Sequence, residues 1–257
     1  MHFLRSNLSA ILLAAAFAGS VLAQAPPAPA TAPQPAAKSN WPPPGPTPRT
    51  ADGKPDLSGA WAPNAIRQNV DMIATGVQVP FQPWAEKLYK ERKESHAKDD
   101  PEARCLPPGV PRMTTTPYPF RIMQTPGLTL IVYEGGAHVW RLIWMDGRQH
   151  PKDPNPTFLG DAIGHWEGDT LVVDTVGFNE RTWLDAAGHP HGEKLHVVER
   201  FTRTDSNTLQ VAATIEDPDY YTKPWTVVTT ATWAPGQELL EYICQENNRD
   251  LQHLVGK

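Results

Sequence analysis

From Phe120 onward the chain alternates short apolar runs with turn-forming clusters, and this alternation constrains the fold most. Runs near 120–124, 128–134, 137–145, 163–166, 170–176, 194–203, 208–216, 226–233 and 238–244 are rich in Val, Thr, Ile, Tyr and Trp. Each is bounded by Gly, Asp, Asn or Pro, the pattern of β-strands joined by turns. Trp166-Glu167-Gly168-Asp169-Thr170 reads as a tight hairpin and Asp205-Ser206-Asn207 as a second turn. Short connections make sequential strands antiparallel neighbours. Eight or nine such strands predict a mostly β fold: an antiparallel barrel, with a β-sandwich as the alternative. The Gly/Pro-rich stretch 146–160 is too long for a hairpin and reads as a functional loop or lid.

Ahead of the strands one helix is expected between Pro83 and His96, with Trp84, Leu88 and the Tyr89/Arg92 neighbourhood on its apolar stripe and Glu86–Lys90 as an i,i+4 pair. It reads as peripheral. Residues 24–55 hold much of the chain's 28 prolines and have no apolar period, so they are read as a disordered leader, with the folded domain at 56–257. Residues 1–23 have the form of a signal peptide. Arg5 precedes an uncharged run from Leu8 to Ala23, and Val21-Leu22-Ala23 supplies the small residues before a cut. Export to the periplasm or outside the cell follows from that reading. In such a compartment Cys105 and Cys244, the two cysteines, are expected to pair.

The net charge of −5 and the absence of a basic stripe exclude nucleic-acid binding. No Gly-x-Ser-x-Gly elbow, phosphate loop or βαβ unit is present, so no cofactor is expected. Candidate chemistry comes from strand parity. Glu199 shares a strand face with Leu195, Val197 and Phe201, and a carboxylate there needs a partner or a raised pKa. Arg141 and Arg121 are the partners considered. His138 lies on the run 137–145, with Trp140 on its face and Glu134 just upstream. His138, Glu199 and Arg141 are therefore the catalytic candidates, facing one cavity. Glu134, His165, His196, Trp140 and Arg200 are the binding candidates. His138, His165 and His196 have no recognised metal-ligand spacing, and His189-Pro190-His191-Gly192-Glu193 reads as a solvated loop, so no metal is assigned.

Several motifs in order resemble a widespread, uncharacterised family of secreted bacterial proteins. They are Ala51-Asp52-Gly53-Lys54-Pro55-Asp56-Leu57-Ser58-Gly59-Ala60-Trp61, His165-Trp166-Glu167-Gly168-Asp169-Thr170-Leu171-Val172-Val173, Glu199-Arg200-Phe201-Thr202-Arg203, Lys223-Pro224-Trp225 and Glu241-Tyr242-Ile243-Cys244. This resemblance implies no activity. Gly59-Ala60-Trp61 is also similar to the Gly-x-Trp entry of calycin-type barrels such as lipocalins, where the Trp plugs the barrel floor. Three readings follow, the last two non-catalytic. One is a cofactor-independent lyase or isomerase using acid/base chemistry on a small, partly aromatic compound. The others are a small-ligand binding protein of lipocalin type and a structural envelope protein.

Overall fold

A computed structural model describes residues 43–244 and residue 246; the expected signal peptide and most of the proline-rich leader lie outside the described residues. Nine strands form one closed barrel. They are β1 (Gly59–Pro63), β2 (Phe120–Thr125), β3 (Leu128–Tyr133), β4 (Trp140–Trp144), β5 (Asp161–Glu167), β6 (Thr170–Val176), β7 (His196–Arg203), β8 (Thr208–Glu216) and β9 (Trp225–Trp233). Neighbours in sequence pair in order, and β1 closes the ring against β9 through Trp61↔Trp233 and Pro63↔Ala231. The described residues add three α-helices, α1 (Ile66–Val70), α2 (Pro83–Glu94) and α3 (Gly135–His138), and three short 3-10 turns.

Strict alternation along β7, β8 and β9 sends every second side chain inward. Leu209, Val211, Ala213 and Ile215 of β8 are all buried by this parity. The interior divides into two apolar clusters. One surrounds Trp61, Phe120, Ile131 and Phe201; the other surrounds Met72, Val197, Ile215, Tyr221 and Trp225. Trp61 is fully buried, its Nε1 donates to the Leu57 carbonyl, and the Arg203 guanidinium lies 5.0 Å from its ring centroid. Gly59 is required two residues earlier. Its φ is +123°, and a Cβ there would stand 2.8 Å from Trp233 Nε1.

Four sequence expectations need correction. The barrel is not wholly antiparallel: β4 and β5 run parallel, in register at Ile143↔Ala162 and Trp144↔Ile163. The linking segment 145–160 is long enough for the crossover that a parallel pair requires. Residues 238–244 form no strand, because β1 already occupies the free edge of β9. On α2 the expected Tyr89 is buried together with Ala85, but Trp84 is not: it is half exposed and donates to the Asp219 carbonyl at 3.0 Å. Residues 43–55, placed in the leader by composition, lie against the barrel. Gly45 N donates to Ser206 Oγ at 2.8 Å, Thr47 Oγ1 to the Arg203 carbonyl at 2.9 Å, and Arg49 pairs with Asp169.

Cys105 and Cys244 are joined in a disulfide across 139 residues of sequence. No described helix is long and apolar enough to cross a membrane.

Candidate functional site

The parallel β4–β5 ladder spans only two residue pairs, so the Trp140–Leu142 end of β4 parts from β5. A cleft of about 590 Å³ opens there. It is lined by Trp140, Leu142 and Trp144 of β4 with Val139 before them, and by the 157–162 segment, which contributes Phe158, Leu159 and Asp161. The second wall is the end of the long 146–160 loop. It is fixed by backbone bonds from Thr157 N to the Gly177 carbonyl (2.9 Å) and from Asn179 N to the Thr157 carbonyl (2.8 Å). Trp140 is 64% exposed and Leu142 38%. Large apolar side chains left open beside a concavity of ligand size mark a binding surface. Arg148 stacks on Trp144 at 3.8 Å, and Arg181 lies 5.1 Å from the Phe158 ring centroid.

A buried polar group sits inside the barrel behind this cleft. Glu199 projects inward from β7 and is 0% exposed. Its Oε2 lies 2.5 Å from Arg141 Nη1, and Arg141 Nη2 donates to Thr175 Oγ1 at 2.6 Å. The Arg141–Glu199 contact is an ion pair by distance but is not aligned as a hydrogen bond. Both Glu199 oxygens, Arg141 Nε and Nη1, and the Tyr133 hydroxyl have no hydrogen-bond partner among the described residues. Burial pulls the Arg141 guanidinium down, but the neighbouring Glu199 and Tyr133 more than offset it and leave the pKa raised. Burial pushes the Tyr133 phenol up, against the opposing charge of Arg141.

The remaining candidates do not converge on this group. His138 ends the α3 turn rather than lying on a strand, and its side chain lies outside the described residues. Glu134 is buried, but its Oε2 accepts from Leu240 N at 2.9 Å, tying down the segment that 238–244 was expected to form as a strand. His165 and Arg200 face out from β5 and β7, and both meet Glu167, at 3.2 and 2.5 Å. Arg200 follows Glu199, so parity sends it to the opposite face. Arg121 is also outside the group; it donates to the Gln237 carbonyl at 2.7 Å.

His196 lies on the outer surface in an array that sequence reasoning missed. His150 Nδ1 is 2.7 Å from Asp161 Oδ1 at the cleft, and His150 Nε2 is 3.2 Å from Asp174 Oδ1. The same Asp174 oxygen is 2.9 Å from His196 Nε2. Strand parity of Asp174 and His196 could have signalled their pairing; the place of His150, in the loop, could not. Phe158 and Leu159 carried the one available signal, the unusual length of their loop.

The His189–Glu193 loop is not solvated as a whole. His189 and His191 are buried, in contrast to the sequence reading. His191 Nε2 is 2.7 Å from Thr182 Oγ1 and its Nδ1 3.2 Å from the Gly192 carbonyl. Burial pulls its pKa down to about 4, aided by the charge of Arg92.

No protein-family model matches the chain, and a search of curated proteins gives no match. The motif resemblance to secreted bacterial proteins therefore has no support from these comparisons. Among solved structures, a point mutant of the fluorescent protein UnaG matches with a TM-score of 0.30 and 10% identity, over 71% of this chain and 97% of that one. Similarity at that level carries no argument, and the barrel stands on its own strand pairing.

Proposed function

We propose that this protein binds a small, largely apolar and partly aromatic compound in the cleft between β4 and the 157–162 segment. The observation that carries the reading is the exposure of Trp140 and Leu142 on the wall of a concavity of about 590 Å³. That volume lies within the range of roughly 300–1,000 Å³ typical of small-molecule sites, and the wall is apolar with few polar groups. Aromatic side chains favour flat ligands, which they contact over a large area. The Arg141–Glu199 pair supports binding rather than acid/base catalysis. Glu199 is sealed from solvent and held against a guanidinium, so it has no path to a substrate proton. Export is part of the proposal, supported by the disulfide and by the form of residues 1–23.

The test is a fluorescence titration of the full chain with N-phenyl-1-naphthylamine, a neutral aromatic probe. Saturable binding is expected, weakened about tenfold or more by Trp140→Ala. A linear, non-saturating response, or equal affinity in the variant, would overturn the reading.

A further inference from the structure

A second cluster lies away from the cleft, against the apolar cluster of Met72, Val197 and Tyr221. Asp71 directly follows α1 and caps the short turn Met72–Thr75, and Asp185 and His189 lie on the segment between β6 and β7. All three are buried, at 6%, 0% and 0% exposure. One ligating atom from each lies within 4.8 Å of the others. The carboxylates are already oriented by the backbone. Asp185 Oδ1 accepts from Gly188 N and His189 N, both at 3.1 Å, and its Oδ2 from Met72 N at 2.8 Å. Asp71 Oδ1 accepts from Ile73 N at 3.0 Å. Such outer bonds are what hold metal-ligating carboxylates in place.

His189 is the independent observation that points to a ligand. It is sealed from solvent and packed against Phe81 and Tyr89, with ring centroids at 5.3 and 4.4 Å. Neither ring nitrogen makes a hydrogen bond among the described residues. Nδ1 lies 2.6 Å from Asp185 Oδ2, yet the contact is not aligned for donation. Beyond the Asp185 carboxylate the buried ring has no polar partner among the described residues to offset its lost hydration, and a bound ligand would supply one. The cluster also already attracts a cation. Lys93, more than half exposed, reaches in from α2 and places Nζ 2.7 Å from Asp71 Oδ2, which also accepts from the Tyr89 hydroxyl at 3.0 Å, and 3.2 Å from that hydroxyl.

We propose that Asp71, Asp185 and His189 form a binding site for a divalent transition-metal cation such as Zn²⁺, and that the Lys93 ammonium holds the cation position when the metal is absent. One imidazole and two carboxylates suit such an ion, and three protein ligands leave a position for water. A cation about 2.0–2.2 Å from each ligand needs donor atoms roughly 3–4 Å apart, so the wider separations must close by about 1 Å while the 2.6 Å contact between His189 and Asp185 opens. Lys93 has the freedom to leave, because its stem is already in solvent. The metal would join the Asp71 turn to the 185–189 loop and so fasten one end of the barrel. Once Lys93 leaves, the two carboxylates offer two negative charges to a divalent ion, with the charge of Arg112 also acting on Asp185.

The experiment is Zn²⁺ titration of chelator-treated full-length protein against a chromophoric competitor, with bound zinc counted after gel filtration. Wild type is expected to hold one equivalent, with its melting temperature raised by added Zn²⁺. His189→Ala should weaken binding at least tenfold. Lys93→Met, an exposed substitution that leaves all three ligands in place, should tighten binding several-fold, because the competing cation is gone. A pure ion-pair role for Lys93 would not produce that gain. The proposal is overturned if neither wild type nor Lys93→Met retains zinc, or if His189→Ala binds as tightly as wild type. Retention by Lys93→Met alone would also overturn it for the native chain, making Lys93 the permanent cation. Should His189→Ala fail to fold by circular dichroism, the Lys93→Met comparison decides by itself.

Discussion

Acidification should loosen this barrel through His191, and the size of the effect follows from its surroundings. The imidazole is buried between Thr182 and the Gly192 carbonyl, and burial lowers its pKa from 6.5 to about 4. The folded state therefore holds His191 neutral where the unfolded chain already protonates it. Stability from this residue is fully present above pH 6.5 and declines as pH falls toward 4. The interval between the two pKa values sets a limiting loss of roughly 3 kcal/mol, of which about 2 kcal/mol is gone by pH 5. The perturbation is His191→Gln, which retains an acceptor for the Thr182 hydroxyl but does not titrate. Urea denaturation of wild type and variant at pH 8 and pH 5 isolates the contribution, since the other histidines are common to both. Wild type should lose about 2 kcal/mol more than the variant between the two pH values. Equal losses would refute the reasoning, because they would mean that His191 is protonated alike in both states.

Glu199→Gln should cost about 3–5 kcal/mol in urea denaturation by leaving Arg141 buried without its counter-charge, whereas the double change Arg141→Met/Glu199→Leu should recover most of that loss. If the single variant unfolds at the wild-type midpoint, the pair is not a structural element. Gly59→Ala should destabilise by about 2 kcal/mol, because a non-glycine residue at φ +123° is strained and its Cβ meets Trp233; an unchanged melting temperature would count against this. Cys105→Ser with Cys244→Ser should lower unfolding free energy by about 4–5 kcal/mol through the long loop that the bridge closes. Two reactive thiols in denatured, unreduced wild type would remove the basis for that figure.

Period-2 patterning determined much of this protein before any tertiary contact was considered. Leu195, Val197, Glu199 and Phe201 alternate with His196, Val198 and Arg200, and a strand can turn that pattern only one way in a closed barrel. The inward position of Glu199 followed, as did the need for an opposite charge, because a lone buried carboxylate is too unfavourable to persist. The pairing of the two cysteines was legible from their number and from the expectation of export. The loop 146–160 was visible as an anomaly of length, and that anomaly became the crossover that turns β5 parallel to β4.

Tertiary structure alone decided that Arg141 rather than Arg121 would meet Glu199, and that β1 rather than 238–244 would close the barrel. Edge pairing is a competition between segments, and local sequence does not record the competitor. The same limit applies to His189 and His191. Polar residues beside Pro and Gly read as solvated loop, yet Phe81 and Tyr89, about a hundred residues earlier, pack over His189 and bury it. The cleft is likewise non-local. Its two walls belong to segments separated by the whole 145–156 stretch, and it exists because the β4–β5 ladder stops after two residue pairs. Side-chain periodicity reports which face of an element is apolar; what covers that face depends on chain packing at long range.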